Sequence, residues 1–375
     1  MKQEKLKIAI DLLWVRVNQV GGIESYIRNL LDGMVSLDED FEIWLLTSKD
    51  NAYSFEKYLY DNRFHMYICD VKSANVGKRI IWQNLYLGKT IKKLGLNKCF
   101  EPYYCKPFLG VNGIKFITTI HDLQAIHFPE YFSKFKVWWM KISWYQAIKT
   151  SNKIIAISNF VKDDIKTHYK VPDNKIEVIY NPVVIDKNEV YDEKFLKQKY
   201  NVEPYEYFFS VSSLLPHKNI NTLLEIMYLI KERKENLPKK IIISGVGGKS
   251  KPELLRKIEE YNLKENVILT PFIENKERNT LYKYCSMFLF PSIFEGFGMP
   301  PIEAMMFERP VITTDTTSLK EVTQGKVTYV RNSFNKFSWL DSIKFFHTKN
   351  YGINFKMYDK KYISQKYINL FKCII

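Results

Sequence analysis

Residues 288–312 read FLFPSIFEGFGMPPIEAMMFERPVI. An apolar run, Phe288 to Phe290, stops at Pro291 and Ser292. Glu295 then stands before Gly296-Phe297-Gly298, and Pro300-Pro301 open a second apolar segment that carries Glu303. The pattern is strand, loop, helix, strand. Proline suits a helix's first turn, where its missing N–H has no partner to lose. Glu303 is then expected in that turn, pointing back at the loop, where a carboxylate could accept two hydrogen bonds from a vicinal diol such as a ribose. Stabilisation of the helix dipole would explain a first-turn glutamate. It would explain neither Glu295 nor the two glycines.

The same alternation extends in both directions. KIAIDLLW, FEIWLLT, HMYIC, KCFEP, IKFITTI, KIIAIS and KIEVIYNP read as strands of a first series. EYFFSVSS, KKIIISG, NVILT, MFLFPS and PVITTD read as a second. Helical spacing fills the intervals, as in GGIESYIRNLLDGM, and Ser158 is placed to cap NFVKDDIKTHY. Short apolar strands alternating with helices imply parallel sheets covered on both faces, an α/β class. The two series meet in a polar stretch near 181–194. This divides the chain into an N-terminal Rossmann-like domain (1–185), a C-terminal one (186–355) and a last helix (356–375). In doubly wound sheets ligands sit beyond the carboxyl ends of the strands. The loops of interest therefore follow Leu13, Ile120, Ser213, Ser244 and Ser292.

Bulk properties narrow the function. A chain of 375 residues suits two domains. It has no run of eighteen apolar residues, and MKQEKLKIAIDLLW lacks the features of a signal peptide, so a cytoplasmic location is expected. The five cysteines form no CxxC pair and read as reduced thiols. The net charge of +15 is shared by both halves and favours anionic partners. No RNP, KH or zinc motif supports nucleic acid. SGVGGKS, with Gly245, Gly247 and Gly248, lacks the GxGxxG spacing, so no nicotinamide cofactor is expected. The histidines show no ligand spacing, and the only DxD-type triplet, Asp38-Glu39-Asp40, falls between a helix and a strand. No metal is expected.

Three further strand ends carry candidates. Gly21-Gly22 precedes a helix, as either a tight turn or a backbone approach to an anion. His121, after IKFITTI, could donate to a substrate hydroxyl or be a satisfied loop histidine capped by Asp122. Lys218, after FFSVSSLLPH, stands beside a helix start, where lysine and terminal amides bind phosphate well; a plain surface lysine is the alternative.

With these residues in place, SIFEGFGMPPIEAM resembles the EGFG-x-P-x-x-E-A signature of retaining glycosyltransferases of family 4. The resemblance extends to GGIESYIRNLL, TTIHDLQAIHFPEYFS, KIIAISNFVKDDI, KIEVIYNPV, FFSVSSLLPHKN and TSLKEV. FPEYFS is similar to the subgroup that includes bacterial O-antigen and capsule mannosyltransferases. The resemblance implies a GT-B fold, two Rossmann-like domains facing across a cleft with the last helix crossing back to the first.

It also implies roles. Glu303 would hold the donor ribose and Glu295 the donor sugar. Backbone amides of Gly296, Phe297, Gly298 and Met299 would line sugar and diphosphate, with Ser213, His217 and Gly245 also at the donor. Lys218 would neutralise the leaving diphosphate, His121 would touch the sugar, and Gly21 and Gly22 would lie near the diphosphate or an acceptor phosphate. Three departures stand out. His217 replaces the arginine many relatives carry beside the lysine, Ser213 stands where others have arginine, and Phe307-Glu308-Arg309 replaces a stretch that usually contains glycine.

The implied reaction is transfer of a hexose, mannose from GDP-mannose by the subgroup resemblance, with retention and without a metal or cofactor. The implied acceptor is a polyprenyl-diphosphate-linked glycan of surface polysaccharide synthesis. A UDP- or dTDP-sugar donor is the alternative, as is an inactive nucleotide-sugar-binding partner subunit. In SKFKVWWMKISWYQAIKTSNK, Lys134, Lys136, Lys141 and Lys149 interleave with Trp138, Trp139 and Trp144. This suits either a core-facing aromatic stripe or a helix lying on the anionic inner leaflet.

Overall fold

A computed structural model describes residues 5–17, 21–248, 251–346 and 352–374. Residues 1–4 of the amino-terminal stretch and Lys249-Ser250 of SGVGGKS lie outside the described residues. The chain divides into two units: residues up to Pro182 together with those from Lys356 onward, and Val183–Phe355.

The first unit holds a seven-stranded parallel sheet. Its strands are β1 (Leu6–Asp11), β2 (Phe41–Ser48), β3 (Phe64–Cys69), β4 (Lys98–Glu101), β5 (Lys115–Ile120), β6 (Lys153–Ala156) and β7 (Ile176–Val178). Their order is β3-β2-β1-β4-β5-β6-β7. The reversal on either side of β1 is the doubly wound arrangement that two series of right-handed crossovers produce. Helix Gly22–Val35 buries Tyr26, Ile27, Leu30, Leu31 and Met34 on one face, as their spacing predicts. Helix Asn159–His168 is capped by the Ser158 hydroxyl, which accepts from the Val161 amide at 3.1 Å.

The helix Lys360–Cys373 belongs to this first unit. Its Ile363, Tyr367, Ile368 and Phe371 share a core with Tyr26, Ile27, Leu30 and Phe100. Ser364 Oγ donates to the Leu30 carbonyl at 2.8 Å. The two helices approach so closely at Gly33 that a Cβ there would overlap the Lys360 carbonyl and the Ser364 hydroxyl.

The second unit holds six parallel strands: β8 (Tyr207–Val211), β9 (Lys240–Ser244), β10 (Val267–Thr270), β11 (Met287–Phe290), β12 (Val311–Thr314) and β13 (Thr328–Val330). Their order is β10-β9-β8-β11-β12-β13. The apolar pattern predicts the first five of these. It misses the three-residue β13, which is too short to show a period of its own.

The opening stretch forms β11, a loop, helix Met299–Met306 and β12. The helix begins at Met299, one residue before the prolines, so Glu303 is its fifth residue and not part of its first turn. The expectation of a first-turn carboxylate is thereby corrected. Glu303 stands one turn inside, where dipole stabilisation has fallen off. After this helix Glu308 adopts φ +59°. Left-handed backbone of this kind is where glycine carries no Cβ penalty, and it explains why a glycine usually occurs near this position in the resembled family.

Candidate functional site

In the second unit, β9, β8, β11 and β12 are adjacent, so the loops leaving their carboxyl ends form one neighbourhood. Lys218 ends the 3-10 turn Pro216–Lys218, between β8 and helix Ile220–Glu232. Glu295 lies in the β11 loop. The structure brings them together: Lys218 Nζ donates to Glu295 Oε1 at 2.6 Å, with side chains only 19% and 12% exposed. Two bonds to one backbone carbonyl hold these loops in register. The His217 carbonyl accepts from the Ile293 amide at 2.8 Å and from Ser292 Oγ at 3.3 Å.

The EGFG segment is fixed from the β12 side. The Glu295 amide donates to Thr317 Oγ1 at 3.0 Å. Ser318 Oγ bonds the carbonyls of both Glu295 and Phe297 at 2.9 Å. Phe297 is buried. Gly298 has φ +90°, and a Cβ on it would stand 2.7 Å from Leu319 Cδ2, so a side chain there would be strained in its backbone and would displace Leu319. Met299 follows as the first helical residue. Gly245, φ +88°, closes β9 onto the neighbouring loop, where a Cβ would lie 2.9 Å from the Ser212 carbonyl. Ser213 is exposed beside it.

Glu303 is buried, and its carboxylate turns toward helix Asn275–Tyr284. Tyr282 OH donates to Oε2 at 2.8 Å, and an Arg278 terminal nitrogen lies 3.8 Å from Oε1. The Glu303 charge raises the Arg278 pKa. Sequence reasoning missed both partners. The available signal was their spacing, Arg278 and Tyr282 standing one helical turn apart. A carboxylate offers about four lone-pair sites, so one hydrogen bond and one ion pair at 3.8 Å leave acceptor capacity on Glu303.

Both candidate histidines are buried. His217 is buried, and burial, with Lys218 beside it, pushes its pKa down to about 3. It is neutral at physiological pH and cannot replace the missing arginine as a cation. His121 follows β5 in the first unit, is buried, and has its pKa pushed down to about 4, chiefly by burial. Its Nε2 lies 2.8 Å from the Pro102 carbonyl. A carbonyl can only accept, so Nε2 carries the proton and donates it there. The Nε2 proton is thus engaged within the protein, as the satisfied-histidine alternative expects, though its partner is Pro102 and not Asp122. The Tyr26 ring meets His121 edge-on at 5.0 Å.

Gly21 caps helix Gly22–Val35 in extended backbone, and a Cβ there would meet nothing within 4 Å. Neither backbone angle nor packing within this unit demands glycine at Gly21; residues 18–20, which lead into it, lie outside the described residues.

Spacing along the chain also failed to reveal a cluster that the fold assembles elsewhere in the first unit. His127, Asp164 and His168 converge there, with all three ligand-type atoms within 4.8 Å of one another.

Sheet order and loop positions define the class of fold, and solved structures agree with it. Sucrose-phosphate synthase of Thermosynechococcus elongatus superposes with a TM-score of 0.76 at 14% identity, covering 98% of both chains. HepE of Anabaena, in complex with UDP and glucose, gives 0.70 at 15%, covering 97% of this chain and 99% of its own. These are GT-B glycosyltransferases. The sequence itself matches the family models for glycosyltransferase family 4 over residues 20–187 and glycosyl transferases group 1 over residues 192–348. The chain belongs to this glycosyltransferase family.

Among curated relatives, the O-antigen chain mannosyltransferase RfbU of Salmonella typhimurium is 32% identical over 60% of this chain and 59% of its own. O-antigen chain mannosyltransferase B of Escherichia coli is 28% identical over 55% and 54%. The matches thus span somewhat over half the length of these relatives.

Proposed function

We propose that this protein is a hexosyltransferase that moves mannose from GDP-mannose to a lipid-linked oligosaccharide in surface polysaccharide synthesis. Transfer proceeds with retention and without a metal at the reacting atoms. The observation that carries this reading is the Lys218–Glu295 pair, held by the EGFG loop in the same unit as a buried Glu303. In this reading Glu303 holds the ribose and Glu295 the sugar hydroxyls. Amides from Gly296 to Met299 line the diphosphate, and Ser213, His217 and Gly245 shape the donor pocket. Lys218 meets the charge that builds on the leaving diphosphate, since preorganised cations act most strongly where water is excluded. His121 accepts through Nδ1 from a sugar hydroxyl, and Gly21-Gly22 leaves room for a phosphate. The first unit takes the acceptor and the second the nucleotide-sugar. The mannosyltransferase names of the relatives support the choice of sugar.

The test is calorimetry and thermal shift with GDP, UDP, dTDP and their sugars, on wild type, Glu303→Gln and Glu303→Ala. Micromolar binding of GDP and GDP-mannose is expected, weakened at least about tenfold in both variants, as loss of buried charge-assisted bonds requires. Binding of UDP or dTDP in place of GDP would overturn the donor assignment. Binding of a nucleotide-sugar without turnover on any lipid-linked acceptor would favour the partner-subunit alternative, which the neutral His217 and the absence of arginine from this loop support.

Membrane contact is the finer part of the proposal. No helix of the described residues is long and apolar enough to cross a membrane. Helix Lys134–Thr150 divides its aromatics. Trp144 is in the core, while Phe135, Trp138 and Tyr145 are 72%, 54% and 55% exposed among exposed lysines. Such a face suits the headgroup region of an anionic leaflet on the cytoplasmic side. Cosedimentation with phosphatidylglycerol vesicles is expected for wild type and reduced about tenfold or more for Lys134→Glu/Lys136→Glu/Lys141→Glu, each surface charge contributing about 1 kcal/mol. Equal sedimentation of both proteins would remove the membrane from the proposal.

A further inference from the structure

Three side chains in the first unit form a group with no part in the proposed transfer site. Asp164 and His168 stand one turn apart on helix Asn159–His168 and so share a face. His127 is the last residue of the short helix Gln124–His127, which follows β5 and His121. His127 Nε2 lies 2.9 Å from both Asp164 carboxylate oxygens, and His168 Nε2 lies 3.3 Å from Oδ1. Asp164 is buried. The two imidazoles are each about one-third exposed, at 32% and 31%. Their rings meet edge to face, centroids 5.5 Å apart at 81°.

We propose that His127, Asp164 and His168 form a binding site for a borderline divalent transition metal, with Zn²⁺ as its natural probe. Two imidazoles and one carboxylate are a ligand set such ions favour over Mg²⁺ or Ca²⁺, which prefer oxygen alone. Zinc takes nitrogen and oxygen ligands at about 2.0–2.2 Å in tetrahedral geometry, which places neighbouring ligand atoms about 3.3 Å apart. The observed 2.9 and 3.3 Å separations lie close to that spacing. The buried carboxylate supplies the negative charge, and the exposed ring edges leave a fourth position to water. Lys162 and Lys166, on the same helix, both reach Asp173, at 3.6 and 2.8 Å, so their charge is engaged with another carboxylate.

The ion would act as a clamp. It ties the segment that begins at His121 to helix Asn159–His168 and so fixes the loop bearing His121. Binding of the ion rests on these three side chains alone and does not depend on the proposed donor or acceptor.

The experiment uses tag-free full-length protein, stripped with chelator and titrated with ZnCl₂ by calorimetry and by thermal unfolding. One Zn²⁺ per chain is expected. Saturation at about a hundredfold excess over Kd should raise Tm by roughly 5 °C. His168→Ala removes an exposed ring and should lose both the heat and the Tm rise while keeping the metal-free Tm. His65→Ala, remote in sequence and outside the cluster, should behave as wild type. An absence of binding by wild type overturns the proposal. So does binding of unchanged stoichiometry in His127→Ala/His168→Ala, which would put the ion elsewhere, for example on the exposed thiol of Cys373.

Discussion

Lys218→Met is expected to lower kcat by about 10²–10³-fold, the range measured when one preorganised charge-stabilising group is removed from a site of developing negative charge. The lysine is partly buried and bonded to Glu295, so the substitution has a second consequence. It leaves a shielded carboxylate without its cation, which costs stability by roughly 1–3 kcal/mol. A cycle with Glu295→Gln separates the two effects. The double variant should recover most of the lost stability, because neither partner is then an unpaired charge. It should recover none of the turnover, because the cation proposed to face the diphosphate is still missing. Glu295→Gln alone should raise KM for the donor more than Lys218→Met does. Steady-state kinetics with GDP-mannose and urea denaturation of all four proteins give the answer. A kcat within about threefold of wild type for Lys218→Met would remove this residue from the proposed chemistry.

The ion pair adds a further constraint. A donor diphosphate that engages Lys218 has to share it with Glu295, whose own charge repels phosphate. In the proposed reading, the diphosphate gains the full attraction of Lys218 only when the sugar occupies Glu295 at the same time. In that reading the pair would couple recognition of the diphosphate to recognition of the sugar. A bare nucleoside diphosphate should gain less from Lys218 than the complete nucleotide-sugar does.

Sequence pattern and structure agree where a segment carries its own periodicity. FFSVSS, IIISG, FLFPS and PVITT are short apolar runs bounded by loop residues, and each became a strand of a parallel sheet. Gly298 and the prolines marked the loop-to-helix passage because only a few residue types tolerate those positions. The pattern fell short where the decisive contact joins residues distant in sequence. Nothing local says that Glu303 pairs with Arg278 and Tyr282, or that His121 gives its proton to the Pro102 carbonyl. His127 and Asp164 lie 37 residues apart, so spacing could not reveal their meeting. A one-residue shift in a helix start moved Glu303 out of the first turn. Helix ends are weakly specified when proline follows the first helical residue, since several registers tolerate it.

Gly33→Ala is expected to destabilise the protein by about 1–3 kcal/mol, although the same change in an isolated helix stabilises it by roughly 1 kcal/mol. The sign reverses because the methyl group would overlap the Lys360 carbonyl and the Ser364 hydroxyl. Backbone cannot swing away as a long side chain can, so the whole C-terminal helix must shift. Gly33→Leu should displace it further. Helix Lys360–Cys373 keeps Ile363, Tyr367, Ile368 and Phe371 from water, and each buried side chain of this size contributes about 1.5–3 kcal/mol. The effect should reach the candidate site. Tyr367 OH lies 2.7 Å from Tyr26 OH, Tyr26 lies 3.1 Å from Thr119 Oγ1, and the Tyr26 ring packs on His121. A displaced C-terminal helix therefore loosens the ring that orients His121. Urea denaturation should show the lost stability, and limited proteolysis should cut earliest near residue 356 in the leucine variant. Turnover should fall in the order wild type, Gly33→Ala, Gly33→Leu. An alanine variant as stable as wild type would mean that the two helices separate at little cost and that Gly33 is not what holds them together.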